Sequence, residues 1–171
     1  SVLSSEYNTF NQLSLPPTVK GLESAAFDRG GEGPYVIVAD GRILKWKGPS
    51  IGFVDFAYTS RNRTKNLCDG FNGGLATQLP GGYKYLSGID VESYTRNVYL
   101  TDASLTFDIR NMAQPGFKLD STGRLLKYDP RTQRVTTLLS GLSIVGGPAV
   151  SSDRKYVLVP EYGKNRIQRR W

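Results

Sequence analysis

The chain has no histidine, a single cysteine and a single methionine among its 171 residues, and none of its apolar runs approaches the roughly 18 residues that a membrane-spanning helix needs. Each absence narrows the chemistry. Without histidine there is no imidazole to serve as a general base near neutral pH. With Cys68 alone, no disulfide can close within these residues, which leaves a free thiol or half of a bridge to a cysteine elsewhere. Without a long apolar run no membrane contact is expected. No basic stretch followed by an apolar run opens the sequence, so no signal peptide is visible, and a secreted protein in mature form looks the same.

What is present reads as one globular unit. Apolar residues make up 39% and charged residues 22%, ordinary values for a packed domain and unlike those of a disordered chain. The formal charge of +7 raises nucleic acid as a partner. Yet the basic residues are dispersed except for Lys164, Arg166, Arg169 and Arg170, which alternate with Ile167 and Trp171 as the exposed face of a strand does. A solvated strand face is expected there, and no nucleic-acid partner. Asn62-Arg63-Thr64 is a glycosylation sequon, usable if the chain is secreted.

The strand signals repeat. A short apolar strand ending near Phe27 leads through a Gly-rich turn to Tyr35–Ala39, a continuous β-branched and aromatic run of the kind covered on both faces. Asp40-Gly41 signals a hairpin, Gly41–Trp46 pairs back, and Phe53–Tyr58 completes four strands. The same order recurs at Ser87–Glu92, Val98–Asp102, Gly123–Tyr128 and Val135–Leu139, and again at Pro148–Ser152, Tyr156–Glu161 and Asn165–Trp171. Gly123-Arg124-Leu125-Leu126-Lys127-Tyr128 restates Gly41-Arg42-Ile43-Leu44-Lys45-Trp46 almost residue for residue. Asp40, Asp102 and Glu161 stand at one place in each copy on this reading, where turn capping explains them better than catalysis.

Three copies of a four-strand unit point to an all-β propeller, in which each unit is a blade of roughly 40–50 residues. Residues 1–20 form an N-terminal arm that either closes the first blade or moves freely, and residues 21–171 form a partial propeller. Residues 73–79 read as an outer strand, and a short helix is expected around Asp108–Met112. Three blades are too few to close a ring, so self-association or a missing second half is expected to complete it.

Gly21–Asp28, Asp40–Trp46, Phe53–Ser60, Gly73–Leu79, Val98–Ser104 and Gly123–Pro130 stand in the order seen in plant strictosidine synthase and strictosidine-synthase-like proteins. The chain resembles that family over residues 17–171. The resemblance implies a six-bladed β-propeller with a small-molecule pocket, and an activity that joins the amine tryptamine to the aldehyde secologanin by Pictet–Spengler condensation in alkaloid biosynthesis. It also implies passage through the secretory pathway to the vacuole or outside, and no cofactor.

Within that resemblance Tyr85 stands where the synthase has a pocket tryptophan, and Ile144 where it has a small apolar pocket residue. Core packing explains both positions about as well. The family's catalytic glutamate lies in a later blade without a counterpart here. Its disulfide places the partner of Cys68 in a strand set lying where this chain passes from Cys68 to Asn72. Related propeller hydrolases hold a divalent cation, and Glu23 stands where one of their ligands does. Ser87 and Gly146 occupy the places of expected asparagines, which leaves one carboxylate and no hard-cation site. The substrate-facing candidates are therefore Tyr85, Ser87 and Ile144. The other readings are a non-catalytic binding segment that self-associates and a lactonase- or esterase-like hydrolase.

Overall fold

In the computed structural model, residues 13–17, 19, 22–28, 30–38, 41–58, 85–107 and 112–171 are described, residues 22 and 23 by their backbone alone. They form three antiparallel sheets. Strands β1 (Leu22–Ala26), β2 (Tyr35–Val38), β3 (Arg42–Trp46) and β4 (Phe53–Tyr58) lie in chain order in the first. The second repeats that order with β5 (Leu86–Val91), β6 (Val98–Asp102), β7 (Gly123–Asp129) and β8 (Arg134–Leu142). The third contains β9 (Ala149–Val150), β10 (Val157–Glu161) and β11 (Arg166–Arg170).

Alternation along the middle strands explains how the sheets stack, because successive side chains leave a strand on opposite faces. Tyr35, Ile37 and Ile43 join Ile89, Val91, Leu100 and Leu126 in one buried cluster between the first and second sheets. Tyr99 and Leu125, on the other face of the second sheet, join Val145, Val157 and Val159 of the third. The remaining face of the first sheet, formed by Val36, Val38 and Leu44, is covered by Leu15 and Val19 of the arm. This is why all four residues of β2 are buried, as its unbroken apolar run predicts. The described end of the arm, residues 13–17 and 19, therefore packs as a cover, with a turn closed where the Val19 N–H donates to the Pro16 carbonyl (2.8 Å).

Neighbouring sheets meet along their inner strands. The Ile89 N–H donates to Ser24 Oγ (3.4 Å), and the Val150 N–H donates to Asp90 Oδ2 (2.7 Å). Between the second and third sheets Gly88 faces Gly147 so closely that a Cβ on Gly88 would stand 2.2 Å from the Gly147 Cα. Only a residue without a side chain fits there.

Several expectations change. The register pairs Leu22 with Val38, Leu86 with Asp102 and Val145 with Glu161, so Val38 and not Asp40 shares the place of Asp102 and Glu161. Among the described residues those two hold the lead-ins to the inner strands instead of capping turns. The capping recurs at the ends of the inner strands, where Asp28 Oδ1 accepts the Gly30 and Glu32 N–H groups, Glu92 those of Tyr94 and Thr95, and Ser151 Oγ those of Lys155 and Tyr156. The third inner strand is shorter than Pro148–Ser152 because Pro148 has no N–H to donate and Ser151 already serves the turn. On β11, Ile167 is 68% exposed, so the expected alternation gives way to exposure on both faces. No fourth strand covers β11 among the described residues. Residues 59–84, which include Asn62, Cys68 and the expected strand at 73–79, lie outside the described residues, as do residues 108–111 of the expected helix.

Candidate functional site

The candidate residues gather where the chain leads into the inner strands. Tyr85 and Ile144 are equivalent: each directly precedes the first pair of its sheet, Leu86–Asp102 in one and Val145–Glu161 in the next. The same backbone bond holds each, with the Ala103 N–H donating to the Tyr85 carbonyl (2.6 Å) and the Tyr162 N–H to the Ile144 carbonyl (2.8 Å). Both side chains are half-buried. Tyr85 packs on the cluster that contains Val145, the residue after Ile144.

One residue further on, the inner strands of the first two sheets bulge. The pairing of β1 shifts between Leu22 and Ser24 and that of β5 between Leu86 and Gly88, which leaves Glu23 and Ser87 as the extra residues. Gly146, next after the Val145–Glu161 bridge, holds the same place in the third sheet. Bulges re-aim side chains and recur beside functional sites. The Ser87 hydroxyl lies 3.1 Å from Thr101 Oγ1 and donates to the Val145 carbonyl (2.8 Å), and Thr101 Oγ1 donates to the Gly146 carbonyl (2.8 Å). Ser87 thus joins the second lead-in to the third. No group of three His, Cys, Asp or Glu suited to a metal occurs among the described residues.

Sequence reasoning missed Tyr162. Its ring is 68% exposed and lies over Gly146, where a Cβ would come within 2.8 Å of the ring. Only the register shows this, since Tyr162 follows Glu161 in sequence and neighbours Ile144 through the backbone.

Two buried carboxylates stand behind this group. Asp102 Oδ1 accepts the Tyr85 N–H (3.0 Å) while Oδ2 accepts from Arg124 Nη2 (2.7 Å). Glu161 Oε1 accepts the Ser143 N–H (2.9 Å) and lies 2.9 Å from Lys164 Nζ, and Oε2 accepts from Arg166 Nε (2.6 Å) and Gln168 Nε2 (2.8 Å). Burial pushes the Glu161 carboxyl upward, but the bonds from Lys164, Arg166, Ser143 and Gln168 outweigh it and hold the pKa at about 2. So acidic a carboxyl is a poor proton acceptor near neutral pH. The arrangement suits it to holding backbone in place, and the group as a whole offers aromatic and apolar walls.

An open cleft of about 520 Å³ lies at the other end of the inner strands, lined by Phe27, Asp28, Ser93, Ser152, Asp153 and Arg154. Its carboxylates are engaged in the turns: Asp28 also accepts from the Tyr35 hydroxyl (3.1 Å), and Asp153 from Ser151 Oγ (2.7 Å).

The strictosidine synthase family profile matches residues 87–171, the stretch that carries the second and third sheets. Strictosidine synthase-like protein 11 of Arabidopsis thaliana is 36% identical across the whole of this chain and 65% of its own length. The chain belongs to the strictosidine synthase-like family. Strictosidine synthase-like protein 12 of the same plant is also 36% identical over all of this chain, and strictosidine synthase of Catharanthus roseus is 33% identical over 85% of it. The family fold is a six-bladed β-propeller, of which the three sheets are blades. The chain spans 65%, 64% and 54% of these three relatives, respectively. The match to protein 11 extends over 214 residues, whereas this chain has 171, so part of the matched stretch of the relative has no counterpart in it.

Proposed function

We propose that this family member forms part of a small-molecule pocket for amine–aldehyde condensation, and that its described residues supply binding walls for the amine. The convergence of Tyr85, Ile144 and Tyr162 at adjacent lead-ins carries the reading. Two tyrosine rings and an aliphatic side chain offer an aryl-ethylamine the faces and edges that aromatic groups favour. The condensation also needs a base to take the indole ring proton once the iminium has been attacked. Asp102 and Glu161 are too firmly ion-paired for that work, and the resemblance to strictosidine synthase assigns it to a glutamate of a later blade.

Incubation of the chain with tryptamine, followed by ligand-observed NMR and then by mass spectrometry after secologanin is added, tests the reading. Tryptamine binding is expected, weakened about tenfold by Tyr85→Ala, with no condensation product. Binding that Tyr85→Ala and Ile144→Ala leave unchanged would remove these residues from the pocket. Product formed by the chain alone would place the base within it.

A further inference from the structure

We infer that Glu161 and Asp102 are positioning residues that set the shape of this pocket from behind, each by tethering the backbone of one lead-in. The inference rests on the pocket reading above and extends it to residues that touch no ligand. Ile144 is where the need for a tether is plainest. Its φ is 41°, in the left-handed region that a β-branched side chain avoids. Such a conformation persists only where its surroundings over-determine it.

The surroundings here can be named. The Ser143 N–H donates to Glu161 Oε1 (2.9 Å), and the Gly163 N–H donates to the Ser143 carbonyl (3.0 Å). On the far side of Ile144, the Gly146 N–H donates to the Pro160 carbonyl (3.0 Å). Ile144 is thus strung between two fixed points, and Glu161 provides the first. The carboxylate cannot swing away, because Arg166, Gln168 and Lys164 hold both its oxygens. Asp102 repeats the device one blade earlier, with Tyr85 as its tethered residue and Arg124 as its anchor.

The first sheet supplies the contrast. Val38 occupies the place of the carboxylate there, and Arg42, equivalent to Arg124 by register, turns to Asp55 (3.3 Å). Among the described residues, the tether occurs in the two blades whose lead-ins carry Tyr85 and Ile144.

Glu161→Gln tests the inference, read out by the backbone carbon shifts of Ile144 and by the affinities for tryptamine and the smaller benzylamine. A shift of the Ile144 resonances is expected, with tryptamine affinity falling about tenfold and benzylamine affinity much less. Asp28→Asn, which loosens a turn at the opposite end, is expected to lower stability without changing the affinity ratio. If Glu161→Gln lowers stability yet leaves both the Ile144 resonances and the ratio unchanged, the carboxylate is only structural and the inference is overturned. Should that variant fail to fold, Arg166→Gln, which frees the same carboxylate from the exposed side, is expected to move both readouts in the same direction, and unchanged readouts there overturn it equally. If the unaltered chain binds neither amine, the pocket reading fails, while the Ile144 resonances still decide whether Glu161 tethers the segment.

Discussion

Gly88→Ala destabilises the chain by about 3 kcal/mol or more in urea unfolding, whereas Gly147→Ala costs less than about 1 kcal/mol, although the two glycines face each other. The asymmetry follows from geometry. A Cβ on Gly88 would stand 2.2 Å from the Gly147 Cα, 2.9 Å from its nitrogen and 3.2 Å from the Pro148 ring, two of them backbone atoms that cannot rotate aside. A Cβ on Gly147 meets only the Gly88 Cα, at an ordinary 3.8 Å. Relief for Gly88→Ala requires the third blade to move off the second, which opens the cluster of Leu125, Val145, Val157 and Val159. Equal costs at the two positions would mean that the blades are not packed in this register.

Acid weakens the fold through Glu161. Its carboxyl has an ordinary value of 4.5 and is held at about 2 in the folded chain, so its stabilisation is fully present above pH 4.5 and drains away as pH falls towards 2. Linkage sets the loss on the order of 2 kcal/mol, after allowance for solvent screening of Lys164 and Arg166, whose side chains reach the surface. Glu92 and Asp120 are also lowered: burial opposes the shift, and hydrogen bonds from Thr95 to the first and from Ser104 and Thr106 to the second overcome it. They add loss of the same sign. Urea midpoints measured between pH 6 and pH 2.5 should therefore fall steeply for the natural chain and less steeply for Glu161→Gln. Parallel curves would show that Glu161 is not the carboxylate that matters.

The strands themselves were legible because their middle members are covered on both faces. Tyr35-Val36-Ile37-Val38 and Val98-Tyr99-Leu100 leave no room for a polar alternation, and the Gly-Arg-Ile-Leu-Lys-Trp repeat fixed the third strand of two blades. Register was not legible. The inner strands carry a one-residue bulge that sequence spacing cannot locate, and counting across it set Asp40 beside Asp102 where pairing sets Val38. The capping role assigned to Asp102 and Glu161 belongs for the same reason to Asp28, Glu92 and Ser151, the residues at the inner-strand ends.

At the candidate site, the resemblance marked Tyr85 and Ile144, and the fold made them equivalent members of adjacent blades. Tyr162 escaped notice because it reaches Ile144 only through a backbone bond across strands. Neither the strain at Ile144 nor the Gly88–Gly147 approach has a local signature, since both depend on how one blade meets the next.

The sheets stack face to face as neighbouring blades, which brings the strand entered through Tyr85 beside the one entered through Ile144. Methyl–methyl nuclear Overhauser spectroscopy on Ile-, Leu- and Val-labelled chain tests this most directly. Cross-peaks are expected from Ile37 or Ile43 of the first blade to Ile89 or Leu100 of the second, and from Leu125 of the second to Val145 or Val159 of the third. Cross-peaks confined within each sheet would contradict the stacking, and with it the pocket built upon it.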